Sequence, residues 1–131
     1  MPTIDISTTS ALPPARRKAV SVRLARWFAD RGVAPAHVIV SFHELGSKSV
    51  FSGGMPLDML ASDEYPVGYI LVTCRLGPGR DDHFRASLAE FLRTALSAVD
   101  GVPFIYIEFR ITLPQHVFLA REGVMARADV S

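Results

Sequence analysis

Gly32-Val33-Ala34-Pro35-Ala36-His37-Val38-Ile39-Val40-Ser41-Phe42 returns later in the chain as Gly101-Val102-Pro103-Phe104-Ile105-Tyr106-Ile107-Glu108-Phe109. In each copy a glycine stops an amphipathic run, a proline follows it, and a β-branched and aromatic stretch begins a strand. The run before the first copy starts after Pro13-Pro14. It places Val20, Leu24, Trp27 and Phe28 on one stripe and Arg16, Arg23, Arg26 and Asp30 on the other side. The run before the second copy carries Phe84, Leu88, Phe91, Leu92 and Ala95 on one face, with Asp81 and Asp82 placed to meet the positive end of a helix dipole. A strand precedes each helix: Thr3-Ile4-Asp5-Ile6-Ser7 in the first half, and Tyr69-Ile70-Leu71-Val72-Thr73-Cys74 in the second, where Gly77-Pro78-Gly79 turns the chain into its helix.

The chain is thus read as two fused β-α-β units in one domain, 1–131. Unit one covers about 2–66, unit two about 67–123, and a short C-terminal tail follows. The fold class is α+β: a four-stranded sheet with two helices on one face, the strands joined through a helix running parallel. Residues 46–66, rich in Gly, Ser, Pro and Asp, read as a loop or short hairpin that is most flexible at Ser52-Gly53-Gly54. Two helices cover one sheet face, and several strands are nearly unbroken apolar runs. The second face is therefore expected to meet further copies of the chain, because the residues from Leu119 onward are too few and too polar to cover it.

Composition narrows the function classes. The chain has 131 residues, 49% of them hydrophobic, and a formal net charge of +1, which suits a single cored domain and favours neither a nucleic-acid nor a membrane surface. Its one cysteine, Cys74, lies in an apolar run and reads as a buried, inert thiol. No stretch reaches membrane-spanning length, and no signal-peptide pattern opens the sequence, so a cytoplasmic, soluble protein is expected. The histidines His37, His43, His83 and His116 show no metal-ligand spacing, and Gly53-Gly54 lacks the flanking Lys or Ser/Thr of a phosphate loop. Neither a metal nor a cofactor is expected.

The most informative single residue is Pro2. If Met1 is removed, Pro2 becomes a secondary amine, able to act as a base or nucleophile without recruiting a side chain. An unperturbed α-amino group titrates at roughly 7.7–8.0, and apolar burial or nearby positive charge lowers that value.

Pro2 at the start of a strand, the helix, the stretch His37-Val38-Ile39-Val40-Ser41-Phe42-His43-Glu44-Leu45, the loop Phe51-Ser52-Gly53-Gly54 and the turn Pro78-Gly79-Arg80 together resemble the tautomerase superfamily. Double-length members fuse two β-α-β units, and the layout here is most similar to the cis-3-chloroacrylic acid dehalogenase group. The resemblance, from Pro2 to about Gly123, implies a homotrimer and a cofactor-independent reaction on a small carbonyl or unsaturated carboxylate. Keto-enol tautomerisation or isomerisation is the first reading; hydration, dehalogenation, decarboxylation and a non-catalytic binding role are the alternatives.

Carried over by residue, Pro2 takes the role of general base or acid. Arg80 matches the second of two clustered arginines and would bind a carboxylate. The first arginine falls near Gly77, and Arg75 could replace it if its register aims it into the pocket. Tyr106 lies where the family contributes a polar group to a neighbouring subunit's site. The late glutamate falls near Ala120, with Glu122 the nearest acid. Phe28 stands where the dehalogenases have a histidine, and Ile39 about where the short tautomerases have an arginine.

Overall fold

The computed structural model describes residues 2–9, 11–46, 48–56, 68–97 and 104–129. Strand β1 (Thr3–Thr8) leads to helix α1 (Pro14–Ala29) and strand β2 (Ile39–Glu44). A two-residue hairpin, β3 (Phe51–Ser52) and β4 (Met55–Pro56), follows. Then β5 (Tyr69–Leu76), α2 (Asp82–Leu96) and β6 (Phe104–Ile111) repeat the opening pattern, and β7 (Phe118–Arg121) with β8 (Val124–Arg127) closes the chain. The large sheet has the order β2-β1-β5-β6, with β1/β2 and β5/β6 parallel and β1/β5 antiparallel at its centre. The duplicated β-α-β architecture read from the sequence is therefore the architecture observed.

Local chemistry sets the element ends. Pro14 occupies the first turn of α1, where its missing N–H costs nothing. At the other end Gly32 adopts a left-handed φ of +86°, and the Val33 N–H returns to the Phe28 carbonyl at 3.0 Å. Helix α2 is capped by Asp81, whose carboxylate accepts from the Phe84 N–H at 2.8 Å. Strand β2 starts two residues later than the apolar run implied, because Pro35–His37 close a 3₁₀ turn before it. Helix α2 likewise stops at Leu96. The glycine stop expected at Asp100-Gly101, and the repeated Gly101-Val102-Pro103, lie outside the described residues, as does the expected loop beyond Pro56 up to Pro66.

The core is the helix-covered side of the sheet. Strands β1 and β5 alternate strictly, sending Ile4, Ile6, Ile70, Val72, Cys74 and Leu76 inward against Val20, Leu24, Trp27, Phe28, Leu88, Leu92 and Leu96 of the helices. The α1 stripe is the one its periodicity predicts. Trp27 meets Phe28 and Phe84 edge-on, each pair with centroids 5.1 Å apart, and so ties the two helices together. Burial, with the charge of Asp5 behind it, pushes the Cys74 thiol up to about 12, in line with an inert cysteine.

The opposite sheet face is more polar than the apolar runs suggested. Asp5 of β1 accepts from the Ser41 hydroxyl at 2.6 Å and from the Arg75 guanidinium at 2.5 Å, and the His43 Nε2 lies 3.2 Å from Ser41 Oγ. The Ser41 hydroxyl first, then Arg75, holds the Asp5 carboxyl below its ordinary value of 3.8. Exposed apolar side chains flank this network: Ile39 on β2, and Phe104 and Tyr106 on β6. The end of unit two and the first residues after it form a hairpin, with Glu122 and Gly123 at φ +56° and +82° forming its turn. Phe118, Val124 and Met125 on it are exposed, so burial gives its strands no alternating signature.

Candidate active site

Pro2 is buried at the head of the central strand. Its carbonyl accepts from the Ile39 N–H at 3.1 Å, which clamps it to the start of β2. On the other side β1 runs antiparallel to β5, and the pairing of Thr3 with Arg75 brings Pro2 beside Leu76, where β5 ends. Two chain reversals therefore meet at this corner: the exit from α1, and the turn that leads from the end of β5 into α2.

Between them lies a cavity of about 100 Å³ lined by Pro2, Phe28, Val33, His37, Leu76, Gly77 and Arg80. Phe28, Val33 and Leu76 make apolar walls. The polar groups are Pro2, His37 and Arg80.

Each element has a local reason to be there. The Gly32 reversal aims Val33 back at the core, and the 3₁₀ turn then presents His37. Across the cavity, Gly79 takes a left-handed φ of +92°, letting the chain double back from β5 into α2. Arg80 follows it. The Arg80 carbonyl accepts from Arg85 at 2.5 Å, and its guanidinium sits over the Phe84 ring, 4.5 Å from the centroid. No carboxylate pairs with Arg80 among the described residues, so its donors are free to meet an anion. At Gly77 an added Cβ would meet nothing within 4 Å, so the cavity stays open where the resembling family carries an arginine.

The structure brings two of the sequence-chosen residues together, Pro2 and Arg80. The other three do not line this cavity. Arg75 alternates with the core-facing Cys74 and Leu76, so its side chain lies on the open sheet face, paired with Asp5. Tyr106 is exposed on β6, opposite Leu71 in the register, and Glu122 is exposed at the tip of the C-terminal hairpin. Phe28 is the core aromatic its stripe implies, 1% exposed, and it also lines the cavity.

His37 also lines the cavity and was not among the residues chosen from the sequence. It stands five residues after the helix-stop glycine, at the mouth of the strand that pairs with Pro2. Among the described residues no group of three or more His, Cys, Asp or Glu is arranged to hold a metal, and no helix is long and apolar enough to cross a membrane.

The architecture has solved counterparts. A fused 4-OT, wild type and a symmetric trimer, is similar with a TM-score of 0.70 at 20% identity, covering 98% of this chain and 99% of the other. Pt0534, solved after inactivation by 2-oxo-3-pentynoate, is similar with a TM-score of 0.72 at 19% identity, covering 98% and 99%. N1, a member of the cis-3-chloroacrylic acid dehalogenase family, is similar with a TM-score of 0.62 at 19% identity, covering 94% and 82%. The expected likeness to the tautomerase superfamily is thus met at the level of the fold. No protein-family profile matches the chain, and no curated protein does.

Proposed function

We propose that the chain is a tautomerase-superfamily enzyme in which Pro2, freed by removal of Met1, acts as general base and acid on a small 2-oxo acid or its enol. The observation that carries this reading is the meeting of Pro2 and Arg80 in one small cavity whose other walls are largely apolar. An amine held against Phe28, Val33 and Leu76, with a guanidinium lining the same cavity, binds its proton less tightly than in water. More of it is then neutral at working pH, and matching the base to that pH is what makes proton transfer efficient.

In the reaction Arg80 holds the carboxylate through its paired donors. That places the carbon next to the carbonyl against the Pro2 nitrogen, which removes a proton from it or delivers one. The substrate's own carbonyl delocalises the charge, so no cofactor is needed. Because Gly77 and Ile39 supply no second or third guanidinium, the substrate carries one carboxylate rather than two. The protein works as a homotrimer, as the fused 4-OT does. In that assembly Tyr106 serves a neighbouring copy's cavity, while Arg75 stays with Asp5.

The test is conversion of phenylenolpyruvate to its keto form by the wild type and by Pro2→Ala, both of confirmed intact mass. A wild type lacking Met1 that accelerates the conversion, with the alanine variant reduced to background, supports the proposal. Equal rates in the two proteins sink it and favour a non-catalytic binding role.

A further inference from the structure

Moving a proton between carbon and oxygen changes the charge at two atoms, and one amine is positioned against only one of them. The cavity holds a second group able to carry a proton. His37 lines it together with Pro2, and the remaining polar group, Arg80, keeps its proton in proteins. Imidazole donates from one nitrogen and accepts at the other, and it changes charge near neutral pH in its unperturbed state.

The backbone holds His37 in place. Pro35 opens the 3₁₀ turn, the His37 N–H donates to the Ala34 carbonyl at 2.9 Å, and the Val38 N–H donates to the Pro35 carbonyl at 3.1 Å. Two residues further on, the Ile39 N–H grips the Pro2 carbonyl. His37 and Pro2 are thus joined by one short run of hydrogen-bonded backbone. His37 is also exposed, so its ring meets both the cavity and bulk water.

We propose that His37 is the second catalytic residue of this site: it handles the proton on the substrate's carbonyl oxygen while the Pro2 nitrogen handles the proton on the adjacent carbon. This rests on the reading of Pro2 as the base. In the keto-to-enol direction, the Pro2 lone pair takes the proton from carbon, and the C–H electrons become the C=C bond. The C=O π electrons pass to oxygen, which takes a proton from the His37 imidazolium. Pro2 ends protonated and His37 neutral, and exchange with water through the cavity mouth restores both. The enol-to-keto direction reverses each transfer, and no oxidant or reductant is required.

The experiment measures kcat and KM for phenylenolpyruvate across pH in the wild type, His37→Asn, His37→Gln and Pro2→Ala, with circular dichroism to confirm folding. The two His37 variants keep a hydrogen-bonding amide but cannot gain or give up a proton near neutral pH, and each stands in if the other misfolds. The expected result is a kcat lower by roughly 10²–10⁴-fold at little-changed KM, with one limb of the kcat pH profile missing. The limb left belongs to the Pro2 amine, the other titrating group on the cavity wall.

Unchanged kcat in the His37 variants overturns the assignment, and so does a loss confined to KM. A lower kcat with both limbs retained makes His37 a positioning residue and overturns it too. Pro2→Ala as active as wild type would instead refute the tautomerase reading itself. An inactive Pro2→Ala beside unaffected His37 variants refutes only the role of His37.

Discussion

Arg80→Ala removes the guanidinium proposed to hold the substrate while leaving the backbone that carries it in place. The Arg80 carbonyl stays bonded to Arg85, and the α2 cap at Asp81 does not involve the Arg80 side chain. The cost to folding is the guanidinium resting on Phe84, about 0.5–1 kcal/mol for a solvent-accessible cation–π contact. The cost to binding is larger. A hydrogen bond to a charged group contributes about 1.5–3 kcal/mol. At 1.4 kcal/mol per decade, that is roughly a 10- to 150-fold loss of affinity. If the contact is equally strong in ground and transition states, the loss appears in KM with kcat nearly unchanged.

The assay compares phenylenolpyruvate with its methyl ester, which keeps the enol but lacks the carboxylate. The acid is expected to lose the full factor on Arg80→Ala and the ester to lose almost none. Arg80→Lys, which keeps the charge without the planar fork, should fall between wild type and alanine. An equal loss on acid and ester would refute the reasoning, and so would no loss on either, because Arg80 would then not be reading the carboxylate.

Gly77→Arg adds a second guanidinium where a Cβ meets nothing within 4 Å, so KM for the enol of oxaloacetate, a diacid, should fall about tenfold or more; an unchanged KM would show that the new side chain stays out of the cavity. Asp5→Asn should lower stability at neutral pH and make it less dependent on pH in acid. The folded Asp5 carboxyl sits below its ordinary value of 3.8, so its contribution is fully present above that pH and is lost as pH falls through the lower folded value. Urea unfolding should therefore show wild type and variant separated by a constant amount at neutral pH and converging in acid; a gap that persists to the lowest pH would contradict the Ser41 and Arg75 contacts as its cause. Leu88→Ala, at a position 0% exposed, should cost about 2–5 kcal/mol in the same assay, and a loss under about 1 kcal/mol would mean that the inter-helix core repacks freely.

The sequence was most informative where periodicity and burial coincide. Val20, Leu24, Trp27 and Phe28 recur at helical spacing because one side of α1 faces the sheet, and all four are buried. Unbroken apolar runs were less informative. Tyr69-Ile70-Leu71-Val72 looks covered on both sides, yet β5 alternates, and its outward face leads to the polar pair of Arg75 and Asp5. The hairpin β7–β8 gave no periodic signal because its apolar side chains are exposed; its turn dipeptide Glu122-Gly123 was the available clue.

Within the site, Pro2 stood out as the residue that opens the first strand, and Arg80 through the resemblance of the turn Pro78-Gly79-Arg80. His37 did not stand out, because its place in the cavity arises from a 3₁₀ turn and from the pairing of β1 with β2. The turn is local, but the strand pairing joins residues far apart in the chain, and a lone histidine says nothing about that meeting.

The central claim is that the Pro2 nitrogen is a free, reactive amine inside the cavity. Its most direct measurement is the mass of the N-terminal peptide after treatment with 2-oxo-3-pentynoate, the compound that inactivated Pt0534. A neutral amine adds to the alkyne carbon farther from the ketone, and the nearer alkyne carbon takes up the proton, so the adduct keeps every atom of the reagent. The expected product is a peptide that begins at Pro2 and carries one reagent mass on its nitrogen. A peptide that retains Met1, or one that begins at Pro2 and stays unlabelled, would contradict the claim.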